Sequence, residues 1–147
     1  MKLSIGSDHA GFLAKEEVKK YLISKGYDVK DVGTFSLEST NYASFGLKAA
    51  TLVANKECDY GILICASGEG ISIAANKVKG IRCGIGYNDE VSRLIKQHNN
   101  CNMIAFGAKF METKDIIKRI DIFLATEFEG GRHCARVDTI SDYENKC

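Results

Sequence analysis

Residues 59–70 read Asp59-Tyr60-Gly61-Ile62-Leu63-Ile64-Cys65-Ala66-Ser67-Gly68-Glu69-Gly70, and the fold turns on how this stretch is read. Positions 59–65 are nearly all apolar, without the alternation of a strand that wets one face. Such a run marks a central parallel strand buried on both sides. Glycines at 68 and 70 then allow a tight turn into the apolar positions that open a helix over 71–77.

The same alternation continues in both directions. Toward the N-terminus, 3–7 reads as a short buried strand and 12–24 as a helix. In that helix Phe12, Lys15, Val18 and Leu22 recur about once per turn, and Lys25-Gly26 supplies the stop. A second strand follows over 27–32, then a polar loop over 34–41 and a helix over 42–55 carrying Phe45, Leu47, Ala49, Ala50 and Leu52. Toward the C-terminus, strands at 82–86 and 102–107 alternate with helices at 89–97 and 113–126. The last of these is strongly amphipathic through Ile116, Ile117, Ile120, Phe123 and Leu124. The segment from Glu127 is rich in glycine and charge and reads as a tail. There is no internal repeat, low-complexity tract or linker. Five strand–helix units with no run of consecutive strands predict one α/β domain over 1–147. Its parallel sheet carries helices on both faces.

Composition narrows the function. With 147 residues, 45% hydrophobic and 27% charged, the chain is long and apolar enough to bury a core, which excludes a disordered protein. Lys and Arg number 20 against 19 Asp and Glu, a net charge of +1. That balance argues against a chain built to coat nucleic acid or an anionic membrane, both of which demand a basic field. No apolar run reaches the ~18 residues of a membrane span, and MKLSIGSDHAG has no secretory core, so a cytoplasmic location is expected. The six cysteines, at 58, 65, 83, 101, 134 and 147, include no CxxC pair and no zinc-finger spacing. Free thiols and no metal are the expectation.

Ligands of parallel α/β sheets bind beyond the carboxyl ends of strands. That rule directs attention to Ser7-Asp8-His9 after the first strand and to 65–70 after the third, with His98-Asn99 ahead of the fifth strand as a further candidate rim. In 65–70 the glycines let backbone amides point outward at a helix start, an arrangement suited to a phosphate, carboxylate or enolate oxygen. Cys65 beside it would sit where a thiolate is favoured. Taken alone, the segment is equally a plain turn with a buried cysteine. It contains no GxxxxGK[ST], and no GxGxxG follows a strand, so neither a nucleoside triphosphate nor a dinucleotide is indicated. Histidine occurs only at 9, 98 and 133; each is a possible acid or base near neutrality. His9 adjoins Asp8, a carboxylate able to orient it. In Gly130-Gly131-Arg132-His133-Cys134-Ala135-Arg136 the two arginines would share a face if the segment is helical, and could fork onto one phosphate. A solvated basic end is the simpler reading of that stretch by itself.

Together, GSDHAG, GILICASGEG, IAANKVKGIR, QHNN and FEGGRHCARVD resemble the ribose-5-phosphate isomerase B family and its lactose-pathway and allose-6-phosphate relatives, in order and spacing, from Lys2 to about Ile140. The resemblance implies a Rossmann-like five-stranded parallel sheet and an aldose–ketose isomerase of phosphorylated sugars that uses no metal or cofactor. It also implies a homodimer, or a dimer of dimers, with active sites at the subunit interface, toward which the tail from about 127 would reach. By the same resemblance Cys65 is the base that moves a proton between C2 and C1, since the alternative branch of the family, with a glutamate at the position of Ile71, does not match. Ser67 matches a sugar contact, and Gly68, Glu69 and Gly70 span the loop whose amides hold the enediolate. Asp8 and His98 match the groups at the ring oxygen, where the sugar opens. His9, Arg132, His133 and Arg136 match phosphate contacts, Asn99 a contact to sugar or enediolate, and Tyr42 a residue facing the ligand.

The chain departs from the family pattern in four places. Asn41-Tyr42-Ala43-Ser44 replaces a stretch with two acids and a proline but keeps Tyr42, and Ala66-Ser67 replaces Gly-Thr but keeps the hydroxyl. Glu69 places a carboxylate beside an anion-binding loop, where it would repel unless it points to solvent. Lys109 stands where an arginine often enters from a neighbouring subunit, keeping the charge but not the fork. The expected activity is interconversion of ribose 5-phosphate and ribulose 5-phosphate. The alternatives are the same chemistry on allose 6-phosphate or galactose 6-phosphate, or a non-catalytic sugar-phosphate sensor.

Overall fold

Strand β3 (Tyr60–Cys65) lies in the middle of the sheet, and every residue from Gly61 to Cys65 is buried. Around it, a computed structural model describes residues 1–146. Strands β1 (Lys2–Ser7), β2 (Asp28–Asp31), β4 (Cys83–Ile85) and β5 (Met103–Gly107) complete a five-stranded sheet of order β2-β1-β3-β5-β4. All four pairings are parallel. Helices α1 (Phe12–Ser24), α2 (Tyr42–Ala54), α3 (Glu69–Ala75), α4 (Asp89–Gln97) and α5 (Thr113–Ala125) link successive strands or follow the last. The fold is the single α/β layer structure predicted from the sequence.

The pleat separates two cores. Ile62 and Ile64 of β3, with Leu3, Ile5, Ile104 and Phe106, pack against Ala14, Val18 and Leu22 of α1, Ile95 of α4, and Ile116, Ile120 and Phe123 of α5. Leu63 and Cys65 point the other way with Met103 and Ala105, onto Ala49, Ala50 and Val53 of α2 and Ile71 and Ala75 of α3. A residue's place in the alternation therefore decides which layer it joins. The chain leaves β1 through α1 to one flank and returns through α2, on the opposite face, to the other. The carboxyl ends of β1 and β3 thus form the switch point where such sheets open a crevice.

Two elements differ from the sequence reading by more than a residue at either end. Helix α3 starts at Glu69, two residues earlier than the apolar pattern suggests, because Gly68 already turns the chain with φ 85°. The tail is not irregular. Residues Arg132–Glu144 form a sixth helix, α6, with only His133 and Val137 buried. A helix with so narrow a buried stripe leaves little trace in hydrophobic periodicity.

Lys15 is fully buried on α1. Its ammonium lies 2.5 Å from Asp31 Oδ2 and 2.8 Å from Glu16 Oε1, and Lys19 joins both carboxylates at 2.8 Å. Asp31 also accepts the Gly33 N–H at 2.9 Å, tying the network to the end of β2. Burial alone would raise the Asp31 pKa, but hydrogen bonds from Lys15, Lys19 and Gly33 outweigh it and hold the carboxyl below its ordinary 3.8. Cysteines 58, 65, 83, 101 and 134 are free thiols; Cys147 lies outside the described residues. Among the described residues no helix is long and apolar enough to cross a membrane.

Removing the buried cation leaves Asp31 with Lys19 and the Gly33 N–H. Lys15→Ala should cost about 3 kcal/mol, the low end for breaking a buried pair, read as a shift in the urea midpoint. Because the Asp31 pKa is depressed in the folded state, its contribution is full above its ordinary value and is lost as the pH falls through the folded one. The stability gap between wild type and Lys15→Ala should therefore narrow below about pH 3.8.

Candidate active site

At the carboxyl edge of the sheet, the register pairs Ser7 with Ile64 and Cys65 with Gly107, so Asp8, Cys65 and the 107–109 segment emerge side by side. Asp8 is 5% exposed, and its Oδ1 accepts the Gly11 N–H at 3.0 Å, which closes the turn into α1. His9 accepts the Thr40 N–H at Nδ1 over 3.1 Å, which holds the 34–41 loop against the first strand's end. Cys65 is buried at 4% exposure, and the Gly68 N–H points at its Sγ over 3.1 Å. Ser67 Oγ accepts the Glu69 N–H at 3.2 Å. Two of the loop amides that the sequence assigned to an oxyanion are thus engaged by the loop's own side chains.

The loop is shaped by what lies against it. Gly68 is left-handed, and a Cβ there would stand 3.0 Å from the Phe106 carbonyl carbon. At Gly70 a Cβ would meet the Tyr42 ring at 2.5 Å, so Tyr42, the first residue of α2, lies across the loop. Asn41 caps α2 by accepting the Ala43 N–H. The departure at 41–44 therefore keeps both the helix start and the tyrosine. The Lys109 N–H donates to the Ala66 carbonyl at 3.1 Å and fixes that lysine beside the loop. Glu69 is exposed and lines an apolar hollow with Ser67, Tyr87, Val91 and Phe110. Its carboxylate has the solvent access that the sequence reading required.

The remaining candidates lie elsewhere. His98 caps the C-terminal end of α4, and a helix that begins at the carboxyl edge of one parallel strand ends at the amino edge of the next. Arg82, just before β4, donates from Nε to the Asn99 carbonyl at 2.9 Å and from Nη2 to the Asn100 carbonyl at 2.8 Å. The expected third rim is thus the opposite edge of the sheet, displaced from Cys65 by the length of β5, roughly four steps of ~3.3 Å. Asp8 and His98, assigned together to ring opening, do not meet within one chain.

A second cluster does form there. The Glu129 N–H donates to the Gln97 carbonyl at 2.9 Å, and Gln97 Nε2 donates to Glu129 Oε2 at 2.9 Å. The start of α6 is thereby placed against the end of α4. His133 stacks on His98 with ring centroids 4.2 Å apart and planes 12° from parallel. Burial, and then the neighbouring His98, push the His133 imidazole below its ordinary pKa, against the pull of Glu129. Arg132 and Arg136 lie exposed one turn apart on the open face of α6, as a helical reading of that segment requires. Asn99, just past the end of α4, is also exposed.

Sequence reasoning passed over Glu129 and Arg82. Glu129 lies four residues before His133, a spacing that could have drawn attention to it. The role of Arg82 depends on main-chain carbonyls, which no side-chain pattern reports.

Comparison with known proteins fits this geometry. The sequence profile of the Ribose/Galactose Isomerase family matches residues 3–140. The chain is 41% identical over 145 residues to ribose-5-phosphate isomerase B of Escherichia coli, covering 99% of this chain and 97% of that protein. Among solved structures it is similar to ribose-5-phosphate isomerase B of Clostridium thermocellum, with TM-score 0.97, 45% identity and 99% of each chain covered. It is also similar to the Mycoplasma genitalium enzyme solved with bound ribulose-5-phosphate, with TM-score 0.95, 36% identity and coverage of 99% and 97%. A matched profile spanning nearly the whole chain, relatives of this identity and the shared five-stranded sheet agree: the chain belongs to the ribose/galactose isomerase family.

Proposed function

We propose that the protein interconverts ribose 5-phosphate and ribulose 5-phosphate through an enediolate, with Cys65 as the proton-transfer base. The observation that carries this reading is Cys65 at the switch point, buried, with the Gly68 N–H aimed at its sulfur. A sulfur base works as the thiolate, and an amide donor is the contact such an anion accepts. In the open-chain aldose the thiolate takes the C2 proton while the carbonyl oxygen gathers the charge. Return of that proton to C1, with the O2 hydroxyl proton passing to O1, gives the ketose. Donors from the 67–70 loop serve the developing oxyanion. Asp8 and His98 serve ring opening, and no cofactor enters the scheme.

Because the two half-sites lie at opposite edges of one sheet, a working site needs a second copy. In the proposed homodimer, Asp8, His9, Tyr42, Cys65, Ser67, Gly68 and Gly70 of one subunit face His98, Asn99, Arg132, His133 and Arg136 of the other. Glu69 stays exposed to solvent. The tail from about 127 is then the segment that reaches the partner, and α6 presents the two arginines to the phosphate. Basic groups far from the reacting carbon position the sugar and add binding energy there. The pentose reading is supported by the bound ribulose-5-phosphate of the Mycoplasma genitalium relative and by Ala66 in place of the family's glycine, since an added methyl leaves less room for a longer sugar.

Cys65→Ala should lower kcat by about 10²–10⁴-fold, the usual span for a lost acid–base group, with binding of ribose 5-phosphate retained by calorimetry. A near wild-type rate would remove the base assignment. Arg136→Ala should raise KM for ribose 5-phosphate about tenfold or more and leave weak binding of free ribose unchanged; equal losses for both would sink the phosphate role. Co-refolding equal amounts of Cys65→Ala and His98→Ala should restore roughly a quarter of wild-type turnover. Half of the dimers are then mixed, each with one intact site. A site contained within one chain would stay inactive in the mixture.

A further inference from the structure

The turn that ends α4 is held from two sides. From within, the Asn100 N–H donates to the Lys96 carbonyl and the Cys101 N–H to the Ile95 carbonyl, each at 3.0 Å. From outside, half-buried Arg82 spends its guanidinium on main chain. Nε donates to the Asn99 carbonyl at 2.9 Å and Nη2 to the Asn100 carbonyl at 2.8 Å. Asn100 is left-handed, with φ 47°, a backbone that residues other than glycine rarely adopt. Such a conformation persists only where its surroundings hold it.

Arg82 is itself anchored. Its N–H donates to Asn102 Oδ1 at 2.9 Å, and its carbonyl accepts the N–H groups of Asn102 at 3.1 Å and Met103 at 3.2 Å. Asn102 Nδ2 also donates to the Gly80 carbonyl at 2.8 Å. The clamp therefore stands on the start of β5, a strand interior to the sheet. We infer that Arg82 is a positioning residue, whose fork on the 99–100 carbonyls sets where His98 and Asn99 are presented at the amino edge. His98 is the C-cap of α4, directly before the clamped turn. Its stack on His133, 4.2 Å between centroids, depends on where that helix end stops. A cation suits the negative end of a helix, but charge alone could come from lysine. A planar fork with two donors fixes direction as well. Arg82 touches no sugar in this scheme and moves no proton. Its link to turnover rests on the proposed function; the clamp on His98 does not.

The test reads position and turnover separately in the full-length protein. Its three histidines, labelled with ¹³C, give three Cε1–H signals by NMR, assigned with His9→Asn and His133→Asn. In Arg82→Ala the His98 and His133 signals should lose the mutual ring-current shift of the stack, while His9, at the other edge of the sheet, stays in place. The kcat for ribose 5-phosphate should fall about 10²-fold, the cost of a group displaced by an ångström. Millimolar guanidinium should restore both readouts, and ammonium at the same ionic strength neither. Arg82→Lys, which keeps the charge without the fork, should show the same displacement to a lesser degree. Unmoved His98 and His133 signals in Arg82→Ala, all three signals moving with no rescue by guanidinium, or wild-type signals and kcat in Arg82→Lys would overturn the clamp. Moved signals with an unchanged kcat would overturn the positioning role. If the wild type leaves ribose 5-phosphate unconverted, the proposed function fails, and the signals alone decide whether Arg82 places His98.

Discussion

Every strand of this sheet runs the same way, and that directionality governs where chemistry can be placed. A residue that follows a strand emerges at one edge of the sheet, and a residue that precedes a strand lies at the other. Asp8, Cys65 and Lys109 follow strands, whereas Arg82 and the His98–Asn100 segment precede them. Helix α5 carries the chain back to the amino edge, so α6 must start there as well. The candidate residues therefore divide into two groups before any side chain is considered. In the proposed homodimer, two copies placed edge to opposite edge would bring each group to its complement twice.

Within the first group, close approach does the shaping. The 65–70 loop is held from below by Phe106 and the 107–109 backbone and from above by Tyr42. A left-handed Gly68 is what aims its own N–H at Cys65 Sγ. The site's departures from the family pattern fit the same frame. Asn41 supplies the α2 cap in place of an acid, Ser67 keeps a hydroxyl for the Glu69 amide, and Glu69 is exposed along the apolar hollow.

The buried ion network plays a different part. Lys15 sits where the helical stripe of α1 calls for an apolar side chain, yet it is fully enclosed by Asp31, Glu16 and the Phe12 and Phe35 rings. Such a pair adds little net stability over hydrophobic packing and is costly to break. Its effect is positional. Asp31 is fixed at the point where β2 gives way to the loop that returns through Thr40 to His9. The carboxyl-edge half-site is therefore braced from the flank of the sheet as well as from its centre.

The apolar run at 60–65 and the regular exchange of strand and helix patterns were sufficient for the layers, the parallel sheet and the position of Cys65. Hydrophobic burial, read through a period of two or 3.6, is a local property of the chain. The family motifs likewise nominated the candidate residues, because chemistry constrains residue types at fixed spacings. What the sequence could not supply is where those residues lie relative to one another. That His98 and Asp8 occupy opposite edges follows from helix direction and strand order. That His133 stacks on His98 over Glu129 follows from a sixth helix whose buried face is one histidine and one valine. Both depend on contacts between segments distant along the chain, and such contacts are decided only when the whole domain packs.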